Sequence, residues 1–130
     1  MPSPEELIAA AQAAREHAYA PYSKFSVGAA VETASGAVFT GCNVENASYN
    51  VGICAERVAV ARAVAEGHRA FRAIAVAGPP DTAVVPCGAC RQFMAEFEPA
   101  LAVIYTAPGG AVRTTLAELL PSPFGPHSLK

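Results

Sequence analysis

A chain of 130 residues suits one domain with a sizeable core, and 52% hydrophobic against 15% charged residues exclude a disordered chain. The net charge is −2, and nine basic residues lie scattered with no Lys/Arg stripe to neutralise phosphates, which disfavours a polynucleotide partner. No apolar run approaches a membrane span and no basic-then-apolar leader opens the chain, so four cysteines are expected reduced, in the cytoplasm.

Ser3-Pro4-Glu5-Glu6 predicts a helix start, with Ser3 as cap, Pro4 at the first helical position and Glu6 closing a capping box. Leu7, Ile8, Ala11, Ala14, Ala18 and Tyr19 recur at helical spacing, so the helix is read as packing one face inward and ending at Pro21. His17 within it is read as structural or exposed. A loop through Tyr22, Ser23 and Phe25 enters the strand-like stretch Val27 to Thr33. Ala37 to Val44 follows across Ala34-Ser35-Gly36, which predicts an antiparallel hairpin. Gly28 inside the first strand marks a close approach of another backbone or a ligand.

Asn43-Val44-Glu45-Asn46-Ala47-Ser48-Tyr49-Asn50 is too polar for a core strand. Asn43 and Glu45, two apart at a strand end, point to one side and suit hydrogen bonds to a diol; for Asn46 and Asn50, turn chemistry competes evenly with that role. A helix from about Ile53 to Glu66 is apolar on more than one face, which predicts burial between a sheet and another element, and Gly67 stops it. Phe71 to Ala77 is a strand, Gly88 to Phe97 a helix, and Leu101 to Thr106 a second apolar strand. Pro108-Gly109-Gly110 is a tight turn, so Ala111 to Thr114 returns antiparallel. Thr115 to Leu120 forms a last short helix, and Pro121 to Lys130 is a Pro-rich tail. The order predicts a single α/β domain over 1–130, a five-stranded mixed sheet in a three-layer α/β/α sandwich with its last strand antiparallel.

Two stretches carry the chemistry. Cys54-Ala55-Glu56-Arg57 and Pro86-Cys87-Gly88-Ala89-Cys90 put three cysteines and one carboxylate at predicted helix starts. Three thiolates make a tetrahedral zinc site with a fourth position open, the mark of a catalytic centre. A water there has its pKa drawn from about 15.7 toward about 7, and Glu56 is near enough to shuttle its protons. A ligand-x-Glu followed by Pro-Cys-x-x-Cys is the pattern of zinc-dependent nucleobase deaminases, with Cys54 where other members carry His. A thioredoxin-like Cys87/Cys90 pair and a closed four-cysteine site with Cys42 each leave part of this pattern to coincidence. Arg57 and Arg91 follow the ligand clusters and are placed to donate hydrogen bonds to sulfur.

Over nearly its whole length the chain resembles the small homotetrameric cytidine deaminases. The matching segments are Ala18 to Ala30, Gly41 to Tyr49, Gly52 to Arg57, Pro86 to Gln92 and Leu119 to Pro126. The resemblance implies Zn²⁺ on Cys54, Cys87 and Cys90, with Glu56 moving protons while a zinc-bound hydroxide attacks the pyrimidine C4. Cytidine and deoxycytidine would become uridine and deoxyuridine with release of ammonia, a pyrimidine-salvage reaction; a cytosine-containing nucleoside antibiotic is the alternative substrate. It further implies Asn43 and Glu45 on the ribose hydroxyls, Phe25 as a wall of the base pocket, and the Ala55 backbone on the pyrimidine edge. Arg57 is favoured as the residue that tunes the sulfurs. Tyr49 and Phe124 would reach a neighbouring subunit's active site within a homotetramer, the tail 121–130 carrying Phe124 there.

Overall fold

Alternating side chains along the central strands divide the apolar residues into two layers, and helices cover each. The computed structural model describes residues 1–129. Strands β1 (Gly28–Thr33), β2 (Val38–Cys42), β3 (Phe71–Ala77), β4 (Ala102–Ala107) and β5 (Gly110–Thr115) form one sheet in the order β2-β1-β3-β4-β5. Within this sheet β3 and β4 pair in parallel and the other neighbours antiparallel; β5 returns antiparallel, as the tight glycine turn requires. Ala29, Val31, Ile74, Val76 and Val103 pack beneath α2 (Ala55–Ala65) and α3 (Gly88–Ala95), together with Leu116 of the short helix α4 (Leu116–Leu119). Ala30, Ala73, Ala75, Ala77 and Ile104 face α1 (Pro4–Arg15) on the other side. This is the three-layer sandwich expected.

The capping box at Ser3 and Glu6 forms as read, but α1 stops at Arg15, short of Pro21. The cause is long-range: the Tyr19 N–H donates to the Asn43 carbonyl (3.0 Å), and the Tyr19 carbonyl accepts from the Glu45 N–H (2.8 Å), so this stretch is extended. His17 lies in the turn after the helix and is exposed. Helix α2 also differs from expectation. It buries Ala55, Glu56, Ala59, Val60 and Ala63, while Ala61 and Ala65 are exposed, so one face only is covered in the single chain.

Two glycines set how closely the helices lie on the sheet. A Cβ on Gly28 would stand 2.0 Å from the Ala11 carbonyl oxygen of α1. A Cβ on Gly41 would stand 2.5 Å from the Ala59 nitrogen and 2.6 Å from the Ala55 carbonyl oxygen of α2. The close approach predicted at Gly28 is therefore to a helix backbone. Gly41 does the same for the helix whose first turn carries the Cys54-x-Glu56 motif.

Candidate active site and metal centre

Cys54 and Cys87 are the residues that cap α2 and α3, and neither makes the usual side-chain bond back to its helix. Both sulfurs thus sit at helix N-termini, each of which carries roughly half a positive charge. Cys90 lies one turn into α3 and is fully buried. The ligand atoms of Cys54, Cys87 and Cys90 all fall within 4.8 Å of one another. The Cys54 and Cys87 sulfurs are 3.7 Å apart. Tetrahedral zinc with bonds of about 2.3 Å demands sulfur–sulfur edges of about 3.8 Å; the Cys54–Cys87 edge meets that value, and three clustered thiols are a donor set that suits the ion. Cys42 is not in the cluster. It pairs with Gly28, whose α-carbon faces α1, which puts its side chain on the opposite side of the sheet.

A hydrogen bond from Cys90, assisted by Arg57 and Cys87 and opposed by burial, pulls the Cys54 thiol down to about 5. Cys90 is pushed upward by that same bond and by burial. Arg57 Nη2 lies 3.7 Å from the Cys54 sulfur, the contact read from the sequence. Arg91 does not behave that way: its Nε donates to the Pro86 carbonyl (2.8 Å) and its Nη1 to the Leu119 carbonyl (2.9 Å). From its position one residue past Cys90 these donors are taken up by backbone carbonyls and not by sulfur.

Glu56 is 4% exposed. Burial, and to a lesser degree the charge on Cys54, pushes its carboxyl up to about 7. A carboxyl in that range exchanges protons in both directions at neutral pH.

A cavity of about 390 Å³ opens onto these groups, within the usual range of about 300–1,000 Å³ for small-ligand sites. Phe25, Asn43, Glu45, Cys54, Ala55, Glu56 and Cys87 line it, so seven sequence-chosen positions converge. Ser23, Val27, Val84 and Val85 complete the wall and were not singled out. Val84 and Val85 directly precede Pro86-Cys87, the one signal that pointed to them.

Asn43 and Glu45 also brace the loop between them and Phe25. Asn43 Oδ1 accepts from the Val27 N–H (2.9 Å), and its Nδ2 donates to the Phe25 carbonyl (2.8 Å). Glu45 Oε1 accepts from the Tyr22 and Ser23 N–H groups (3.0 and 3.1 Å), and Oε2 from the Ser23 hydroxyl. The Ser23 hydroxyl bond, reinforced by these N–H groups, holds the Glu45 carboxyl below the usual range. Lys24, with φ 60°, is the strained residue in this loop. Such strain persists where neighbours over-determine the backbone, and Asn43 and Glu45 supply that constraint.

Tyr49 and Phe124 stand apart from this cavity, 80% and 61% exposed. Tyr49 lies beside Tyr22, with ring centroids 6.0 Å apart. Gln92 Nε2 anchors the tail through the Phe124 carbonyl (2.5 Å).

Comparison with known proteins agrees with this geometry. The family described as the cytidine and deoxycytidylate deaminase zinc-binding region matches residues 1–106. A cytidine deaminase of Sporosarcina psychrophila is 46% identical, over 96% of this chain and 93% of its own. A blasticidin-S deaminase of Bacillus cereus is more distant, 32% identical over 75% of this chain and 76% of its own. The crystal structure of a cytidine deaminase from Burkholderia pseudomallei superposes with a TM-score of 0.90 at 52% identity, covering 95% of this chain and all (100%) of that one.

Proposed function

The chain belongs to the cytidine and deoxycytidylate deaminase family, and from that membership we propose that it converts cytidine and deoxycytidine hydrolytically to uridine and deoxyuridine, releasing ammonia. One juxtaposition carries the reading: the buried Glu56 carboxyl, the Cys54 and Cys87 sulfurs, and the Asn43–Glu45 pair line a single cavity.

Zinc held by Cys54, Cys87 and Cys90 supplies, when bound, a Lewis acid that brings the pKa of a water from about 15.7 toward about 7. The chain's own residues do the rest. Glu56 takes a proton from the attacking water and gives it to the ring nitrogen N3. It then carries the second proton to the departing amino nitrogen. Water adds at C4, the C–N bond breaks, ammonia leaves, and Glu56 returns to its starting state. Phe25, Val27, Val84 and Val85 give the cavity its apolar lining, which suits a flat pyrimidine, and the Ala55 backbone is assigned to the ring edge.

Asn43 and Glu45 have limited capacity to spare. Glu45 Oε1 already receives two donors and Oε2 one, while Asn43 Nδ2 has given one of its two hydrogens to Phe25. What remains is one acceptor site on Glu45 Oε2, one on Asn43 Oδ1, which has taken only the Val27 N–H, and one N–H on Asn43 Nδ2, a set suited to sugar hydroxyls. The exposed rings of Tyr49 and Phe124 support the further assignment of a homotetramer in which both residues reach a neighbour's site. Among the described residues no helix is long and apolar enough to cross a membrane, and four free cysteines suit the reducing cytoplasm.

The test follows the ultraviolet absorbance of cytidine with the wild type and Glu56→Gln, with zinc measured in both. Positioned proton transfer is worth roughly 10²–10⁴ in rate, so the variant should retain its zinc and lose that factor. Full turnover in Glu56→Gln, or no loss of cytidine with a zinc-loaded wild type, refutes the proposal.

A further inference from the structure

Arg91 occupies a position that the chemistry above leaves unused. Its guanidinium joins two backbone carbonyls from distant parts of the chain: Pro86, immediately before the ligand Cys87, and Leu119, the last residue of α4. Pro86 is buried to below 2% exposure. The Pro86 oxygen and the Cys87 nitrogen belong to one rigid peptide plane, so a donor fixed on that oxygen sets the direction in which the Cys87 backbone leaves. Cys87 is the exposed ligand of the three, whereas Cys90 is held in the core. It is therefore the ligand with most to gain from an outside brace. The Leu119 carbonyl, in turn, is one of the groups a helix end leaves without an internal partner. It receives the other arm, and this anchors the guanidinium from behind.

We propose that Arg91 is a positioning residue for the metal centre: clamped against Leu119, it holds the Pro86–Cys87 peptide and thereby slows the departure of Cys87 from zinc. Only a guanidinium meets both carbonyls at once, since its donors form a planar fork while a lysine ammonium is a single point. Neighbouring Gln92 supplies the internal control. It ties down the tail through Phe124 without touching the Pro86 carbonyl.

The inference rests on zinc at Cys54, Cys87 and Cys90, so metal content is measured first. Zinc-loaded wild type, Arg91→Lys, Arg91→Ala and Gln92→Ala are mixed with an excess of a metallochromic chelator, and the rate of zinc release is followed. Melting temperatures are recorded for each protein with zinc and after its removal. Arg91→Lys and Arg91→Ala should release zinc about tenfold faster, equivalent to about 1.4 kcal/mol, with Gln92→Ala within about twofold of wild type. The melting-temperature gain conferred by zinc should shrink in the Arg91 variants alone. Wild-type release from Arg91→Lys, with melting temperatures lowered equally with and without zinc, assigns Arg91 to general packing and overturns the proposal. So does acceleration in Gln92→Ala equal to that in Arg91→Lys, which traces the effect to the tail. A wild type that binds no zinc fails differently, by removing the metal centre itself.

Discussion

Gly41→Ala tests whether the packing of α2 on β2 sets the geometry of the active site. The added Cβ would meet the Ala59 nitrogen at 2.5 Å, the Ala55 carbonyl oxygen at 2.6 Å and the Val58 Cβ at 2.9 Å. Two of these are backbone atoms of a helix, which cannot rotate away. Ordinary contact begins near 3.4 Å, so strand and helix must separate by about 0.9 Å (3.4 − 2.5). If the helix yields, Cys54, Ala55 and Glu56 move with it. If the edge strand yields, Asn43 and Glu45 move, because they follow β2 directly. The span from sugar end to metal end of the cavity changes either way. A misplacement of about 1 Å can cost on the order of 10² in rate, and overpacking of this kind costs about 1–3 kcal/mol. We expect kcat/KM per bound zinc to fall by that factor, with a matching drop in the urea midpoint. Gly67→Ala is the comparison: its φ is +96° and nothing lies within 4 Å of the added carbon. It should lose about 1–2 kcal/mol to backbone strain and keep its kcat/KM. Wild-type kcat/KM in Gly41→Ala, or an equal loss in Gly67→Ala, refutes the argument.

Two further outcomes follow from the site. Arg57→Ala removes the donor 3.7 Å from the Cys54 sulfur; a hydrogen bond to a charged partner is worth about 1.5–3 kcal/mol. Turnover per zinc should fall roughly 10- to 100-fold with metal still bound, and wild-type turnover at full zinc occupancy would sink the idea. The Glu45 carboxyl, lowered chiefly by the Ser23 hydroxyl, should titrate below the ordinary glutamate range when followed by carbon-13 NMR, and move back up in Ser23→Ala. The sign for stability follows: a depressed folded-state pKa contributes stability above the unfolded value, and that contribution is lost as pH falls through the folded value. A Glu45 titration at or above the ordinary range contradicts the Ser23 assignment.

Local rules carried most of the architecture. Ser3, Pro4 and Glu6 announced the first helix, and the glycine turn after Pro108 dictated that β5 return antiparallel. The metal cluster was legible because its ligands sit at fixed spacings beside helix starts. What escaped depended on contacts remote in sequence. The end of α1 is decided by Tyr19 pairing its backbone with residues 43–45, which no helical periodicity near Tyr19 records. Arg91 reads locally as a donor for sulfur, yet its second partner lies 28 residues away at Leu119. Ser23 gave no signal of its own; its role appears only once Glu45 is folded against it.

The abundance of small residues, unremarkable as composition, is what makes the site possible. Helix α2 rests on the sheet through Ala55, Ala59 and Ala63, all fully buried, opposite Gly41 and Ala29. Larger side chains at those positions would lift the helix and withdraw its N-terminus from that of α3. The same closeness buries Glu56 in the first turn of α2, and that burial raises its carboxyl to about 7. Backbone proximity at Gly41 therefore bears on two properties at once: the spacing of the sulfurs and the proton affinity of the acid beside them. A looser interface would relax the first and rehydrate the second, so a variant such as Gly41→Ala should lower the Glu56 pKa as well as disturb the metal ligands. At Gly41 the two effects share one cause, so a substitution there should move both together.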